Sequence, residues 1–92
     1  MLTFGEALEA LKQGKRVARK GWNGKGMFIA LQYGSNILPE QARGGVAKAI
    51  AKDGATIIKI CPHIDMKDAQ NNCVVGWLAS QTDMLAEDWE VL

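Results

Sequence analysis

The dipeptide Asn23-Gly24 stands between a short mixed run, Arg16 to Lys20, and a longer alternating run, Met27 to Tyr33. A two-residue type I′ turn needs positive φ at both central positions, which Asn-Gly accepts readily, so the pair joins two antiparallel strands. In the second strand Met27, Ile29, Leu31 and Tyr33 share one face, and Phe28, Ala30 and Gln32 share the other. In the first, Val17 and Arg19 share one face, and Arg16, Ala18 and Lys20 the other. Such a hairpin points to an antiparallel sheet, and the rest of the chain must supply what covers it.

Upstream, Thr3 and Glu6 form a capping-box pattern, and Phe4, Ala7, Leu8 and Leu11 recur at helical spacing until Gly14. This predicts an amphipathic helix over residues 4–13. Between 34 and 55 the pattern changes. Pro39 suits a helix start, Gly44-Gly45 interrupts, and Val46 to Lys52 is helical with Gly54 closing it, which reads as a helical insertion between strands. Thr56 to Met66 returns to period two, with Ile58, Ile60, Pro62, Ile64 and Met66 on one face and Ile57, Lys59, Cys61, His63 and Asp65 on the other. Pro62 cannot donate to a ladder, so it marks an edge or a bulge. Lys67 to Asn72 is a turn, Cys73 to Ala79 a returning strand containing Trp77, Ser80 and Asp83 cap one helical turn, and Trp89 and Val91 alternate in a last strand. The expected fold class is α+β: one domain over residues 1–92, with an N-terminal helix packed on a small antiparallel β-sheet and a variable helical insertion at 34–55.

Ninety-two residues bury a limited core, roughly 60 to 65% of the surface exposed by the unfolded chain. Three Trp, Tyr33, two Phe and many aliphatics are a generous apolar supply for that size, so part of it is expected between subunits of a homo-oligomer. Eleven Lys and Arg against ten Asp and Glu give a net charge of +1, a weak field for a long polyanion, which argues against genomic DNA or RNA as partner. Two cysteines, no secretory pattern and no apolar run near the roughly 20 residues of a membrane span predict a soluble, cytoplasmic protein with free thiols.

The segment Gly21-Trp22-Asn23-Gly24-Lys25-Gly26, preceded by Arg16, Arg19 and Lys20, puts an indole, glycine amides and cations within one turn. Amides and cations suit phosphate oxygens and an indole face suits a purine, so the loop points to a nucleotide. Trp22 either stacks on that ligand or folds back as a staple between elements. Strand alternation prevents all the cations from serving one site. Trp77 is followed at once by Ser80, Gln81, Thr82 and Asp83, whose hydroxyl, amide and carboxylate groups suit ribose hydroxyls and base edges. Capping of a helix is the simpler role of Ser80 and Asp83, and Trp89 reads as core.

Other chemistry is poorly supported. Cys61, His63, Asp65 and Cys73 lack the paired spacing of a zinc site, and the two cysteines read as small apolar fillers of the sheet. No cofactor is implied. His63 with Asp65 could form an acid-base pair, but a surface His beside a carboxylate is the plainer reading, with Asp83, Glu87, Asp88 and Glu90 a solvated acidic end. Gly21 to Gly26 lacks the Gly-Lys-Ser/Thr ending of a Walker loop, and no Rossmann fingerprint occurs.

The runs Phe4-Gly5-Glu6-Ala7-Leu8, Lys12-Gln13-Gly14-Lys15, Val17-Ala18-Arg19 and Gly21-Trp22-Asn23-Gly24-Lys25, with Pro62, Met66-Lys67 and the tail from Trp77 through Asp83 and Met84 to Trp89, resemble a phage-enriched family once catalogued as a domain of unknown function. That family is the second type of Thoeris anti-defence proteins. The resemblance implies a non-catalytic nucleotide sponge that sequesters a cyclic ADP-ribose isomer, glycocyclic ADP-ribose, made by bacterial TIR-domain enzymes. It further implies a homotetramer with pockets shared between subunits, and in some members a separate site for cyclic di- or trinucleotides. Residues 34–55, Cys61, His63, Asp65 and the turn through Asn71, Asn72 and Gly76 depart from the family pattern. Carried onto this chain, the expected ligand-binding residues are Arg19, Trp22, Asn23, Gly24, Lys25, Phe28, Pro62, Trp77, Ser80, Gln81, Thr82, Asp83 and Met84. Two competing readings are an enzyme that hydrolyses such a nucleotide through His63 and Asp65, and a single-stranded nucleic-acid module built on the aromatic hairpin.

Overall fold

Thr3 starts the first helix as the spacing predicts. Its Oγ1 accepts the Glu6 N–H at 3.2 Å, and the Glu6 carboxylate accepts the Thr3 N–H at 2.9 Å, a reciprocal cap that opens α1, Phe4–Lys12. Gly14, at φ +86°, ends it. The structure is a computed structural model that describes residues 1–22 and 26–92. The type I′ turn expected at Asn23-Gly24, and the ligand roles expected of Asn23, Gly24 and Lys25, lie outside the described residues.

The strands on either side of that turn do pair. β1, Val17–Arg19, runs antiparallel to β2, Phe28–Gln32, with Val17 opposite Ile29. Adding β5 (His63–Lys67), β6 (Cys73–Val74) and β7 (Trp89–Val91) gives an antiparallel sheet in the order β6-β5-β2-β1-β7. Alternation assigns its faces as expected. Val17, Ile29, Leu31, Ile64, Met66 and Trp89 point toward α1, where Ala7, Ala10 and Leu11 meet them. Ala7, Val17, Ile29 and Trp89 are fully buried and Leu11 almost so; each large apolar side chain removed from water in this way contributes about 1.5 to 3 kcal/mol. The fold class is α+β, with the N-terminal helix on a mostly antiparallel sheet.

The chain divides into two compact units, Met1–Gln32 with His63–Leu92, and Tyr33–Pro62. The second contains β3 (Ser35–Ile37), a 3-10 turn (Pro39–Gln41), α2 (Gly45–Lys52) and β4 (Ile58–Ile60). Sequence reading expects residues 34–55 to be helical and Thr56 to Met66 to be one strand. Instead Ser35–Ile37 pairs antiparallel with Ile58–Ile60 in a separate two-stranded sheet, and the expected long strand breaks at Cys61-Pro62. Proline removes the ladder donor at that point, so the two halves of the run enter different sheets.

The other departure follows β6. The turn at Lys67 to Asn72 is present, organised by Asp68, whose Oδ1 accepts the N–H groups of Gln70 and Asn72 at 2.9 and 2.8 Å. These amides hold the Asp68 carboxyl below the ordinary Asp range, that of Asn72 most of all. The returning strand stops at Val74 rather than running to Ala79. Gly76, at φ +84°, redirects the chain and takes Trp77 out of the strand; the Trp77 N–H then donates to the Ile64 carbonyl at 2.6 Å. α3, Gln81–Leu85, leads into β7.

Candidate functional site

Three indoles meet on the α1 side of the five-stranded sheet. Trp89 is fully buried, and Trp22 packs edge-on against it with ring centroids 5.3 Å apart at 79°. Trp77 contacts both, 6.4 Å from Trp22 at 67° and 6.2 Å from Trp89 at 81°, and Phe4 of α1 closes the cluster at 5.5 Å from Trp89. Edge-to-face pairs of this kind add about 0.5 to 1.5 kcal/mol each beyond area burial. Trp22 is therefore not a bare indole at a loop tip. It is half-buried, anchored on one side by other rings.

Polar groups fix the same cluster. Arg19, at the end of β1, donates from Nη1 to Asp83 Oδ1 at 2.9 Å and from Nε to Asp88 Oδ1 at 2.8 Å. Asp83 Oδ1 also accepts the Trp22 Nε1–H at 3.3 Å, and the Asp83 carbonyl accepts Trp89 Nε1–H at 3.0 Å. Arg19 thus has its donors engaged by carboxylates of the same chain, and the Asp88 and Asp83 hydrogen bonds raise its already high pKa. Burial alone pushes the Asp83 carboxyl up, but hydrogen bonds from Arg19, Ser80 and Trp22 outweigh it and leave the group below the ordinary Asp range. Arg19 and the Gly21 N–H lower Asp88 likewise. Asp83 and Asp88 are therefore not part of a solvated acidic end.

The capping role of Ser80 and Asp83 is present: Ser80 Oγ accepts the Asp83 N–H at 3.0 Å. Around that cap Ser80, Gln81, Thr82 and Met84 are exposed beside the half-buried Trp77 and Asp83. Leu78 and Leu85, 91% and 80% exposed, flank them as bare apolar side chains.

Not all the expected residues gather there. Phe28 faces the opposite side of the sheet, with the Arg16 guanidinium 4.9 Å and the Lys67 ammonium 5.8 Å from its ring centroid. It lines a cavity of about 290 Å³ with Ala30, Gln32, Asp65, Lys67 and Cys73. Pro62 belongs to the second unit, where it borders a cavity of about 380 Å³ with Tyr33, Ser35, Asn36 and Lys59. Neither cavity is lined by Trp22 or Trp77. His63 and Asp65 share the Phe28 side of the sheet, because Ile64 and Met66 between them face α1; His63 Nδ1 lies 2.6 Å from Asp65 Oδ1, which also accepts the Gly76 N–H at 3.0 Å. Cys61 and Cys73 are exposed rather than filling the sheet, since Cys61 precedes the break at Pro62 and Cys73 lies on an edge strand. Among the described residues, no group of three or more His, Cys, Asp or Glu side chains is placed to hold a metal ion.

Comparison with known proteins gives this arrangement a family. Residues 2–92 match the Thoeris anti-defense 2-like domain. Thoeris anti-defense 2 of Bacillus phage SP01 is 40% identical over 91 residues, covering 99% of this chain and 94% of that protein. The chain belongs to the Thoeris anti-defence 2 family. Its role is accordingly anti-defence, and no described helix is long and apolar enough to cross a membrane.

In this family member, sequence reasoning missed Asp88 and the ring-on-ring seating of Trp22. The signal for Asp88 was available only through register. Arg19 stands opposite Trp89 across β1 and β7, which brings the residue before Trp89 beside the guanidinium. Without that pairing, Asp88 is one of several acids near the end of the chain.

Proposed function

We propose that this chain is a sponge: it binds a cyclic ADP-ribose-type signal and withholds it unaltered from a host defence, acting for a phage in the host cytoplasm. The observation that carries the reading is the meeting of Trp22 and Trp77 with the polar start of α3 on one side of the sheet, in a member of this family. The outer parts of the indoles offer stacking for adenine, and Ser80, Gln81 and Thr82 offer hydroxyl and amide groups to riboses. Asn23, Gly24 and Lys25 join the set by their place beside Trp22 in the sequence.

Capture requires a closed site, and the indole surface becomes one when a second copy covers it. Leu78 and Leu85 supply apolar area for that contact, consistent with assembly to a tetramer. The cavity beside Phe28 lies on the opposite face, apart from the indoles, and a second class of cyclic di- or trinucleotide would need a site of its own. Sequestration is supported over hydrolysis by the position of the His63 and Asp65 pair, which the sheet separates from the indoles and Asp83. A sponge works by stoichiometry and slow release, and a site of rings and hydrogen bonds suits that task.

Calorimetry with cyclic ADP-ribose isomers, light scattering for subunit count, and chromatography of ligand recovered after denaturation test the reading together. The expected result is tight uptake by an oligomer, unchanged ligand on recovery, and retained uptake in His63→Ala. Recovery of linear ADP-ribose, or the absence of uptake, would overturn it.

A further inference from the structure

Asp88 joins two constraints that converge on one ring. Its Oδ2 accepts the Gly21 N–H at 2.8 Å, while its Oδ1 holds Arg19, and Arg19 in turn holds the Asp83 oxygen that accepts the Trp22 indole N–H. The backbone entering Trp22 is thus pinned by one carboxylate and the indole by another, with a planar guanidinium bracing both. The packing at Gly21 is close: a Cβ built there would sit 2.8 Å from Asp88 Oδ2 and 3.4 Å from Arg19 Nη2. Among the described residues, the Arg19 Nε, Nη1 and Nη2 all donate to Asp83 or Asp88.

We infer that Asp88, acting through Arg19 and Asp83, is a positioning residue that fixes the orientation of the Trp22 indole, and that Arg19 and Asp83 serve a bound nucleotide by holding this ring instead of touching the ligand. The inference rests on the capture reading for its effect on binding. The physical gain is preorganisation: an indole already locked in its stacking pose loses no rotamer freedom when a base arrives. Asp83 and Asp88 are ionised well into mild acid, so the brace persists wherever the protein would meet its ligand.

The test uses Asp88→Ala, Asp88→Asn and Gly21→Ala in the full chain, each alone and combined with Trp22→Ala. Gly21→Ala removes no charge and displaces the Asp88 carboxylate by crowding. The readouts are the indole N–H resonances of the ligand-free protein, and affinity and release rate for cyclic ADP-ribose. Asp88→Ala is expected to move the Trp22 indole resonance and to weaken binding about tenfold, mainly through faster release, as loss of a charge-assisted hydrogen bond would. Gly21→Ala should do the same, and Asp88→Asn should restore part of the loss by keeping an acceptor for the Gly21 amide. In the Trp22→Ala background none of the three should have a further effect, because the residue they act through is gone. A Trp22 resonance that stays in place, or losses that multiply with Trp22→Ala, would sink the inference. If the unmodified protein takes up no cyclic ADP-ribose, the capture reading fails by itself, and the resonances still decide whether Asp88 orients the ring.

Discussion

At the scale of single residues, Trp22 and Asp83 show how far local chemistry can be read from a sequence. Both were recognisable as candidates from their neighbours, Trp22 between glycines and cations and Asp83 three residues after Ser80. What they touch was not recognisable, since Trp22 meets Trp77, Trp89 and Asp83 from more than fifty positions away. Trp22→Ala should weaken cyclic nucleotide binding by about 1 to 3 kcal/mol, the worth of one stacked base, measured by calorimetry. The carboxylates add a pH signature. Asp83 and Asp88 have folded pKa values below the ordinary one, so in the window beneath that value the unfolded chain binds more protons. Their stabilisation is complete from about pH 5 upward and is lost as pH falls through the ordinary Asp value and then the folded ones. Thermal melts taken down this range should show a decline in Tm that flattens in Asp83→Asn.

At the scale of elements, the two capping boxes were legible because they are local, four-residue patterns whose partners sit one helical turn apart. Thr3 and Ser80 nevertheless have unlike surroundings. Thr3 caps a helix whose other face is packed on the sheet, while Ser80 caps the short helix that carries Asp83. Thr3→Ala and Ser80→Ala should each cost about 1 kcal/mol of stability, as read from urea melts. Only Ser80→Ala should also weaken ligand binding, because it loosens the segment that holds the Trp22 indole. The strands were less legible. Period two put Ile64 and Met66 on one face, yet it could not show that Pro62 divides one apolar run between two sheets, because sheet membership depends on distant partners. Gly76 ended β6 early for a similar reason: its positive φ comes from the path the chain takes to bring Trp77 beneath Ile64, and Trp77 alone looks like an ordinary strand residue.

At the scale of the whole molecule, Gln32 and His63 are direct partners at the end of the β2 and β5 ladder, so the chain leaves and rejoins the five-stranded sheet at neighbouring points. The thirty residues between them, Tyr33–Pro62, have their own paired strands and helix. Replacing that stretch by Asn-Gly should leave a two-residue hairpin and a folded sheet, checked by circular dichroism and a cooperative melt; loss of cooperativity would show that the sheet depends on the removed unit. The change of pattern after residue 33 was legible as an insertion within one domain, but its two-stranded sheet was not, because Ser35–Ile37 is too short to announce a strand. Trp89 ties these scales together. The same ring is the largest fully buried side chain, a seat for Trp22 and Trp77, and the donor that holds the Asp83 carbonyl. Loosening Trp89 would therefore unseat two other indoles and the start of the Asp83 helix together, so under the proposed capture reading a sturdier interior and slower release should be selected jointly.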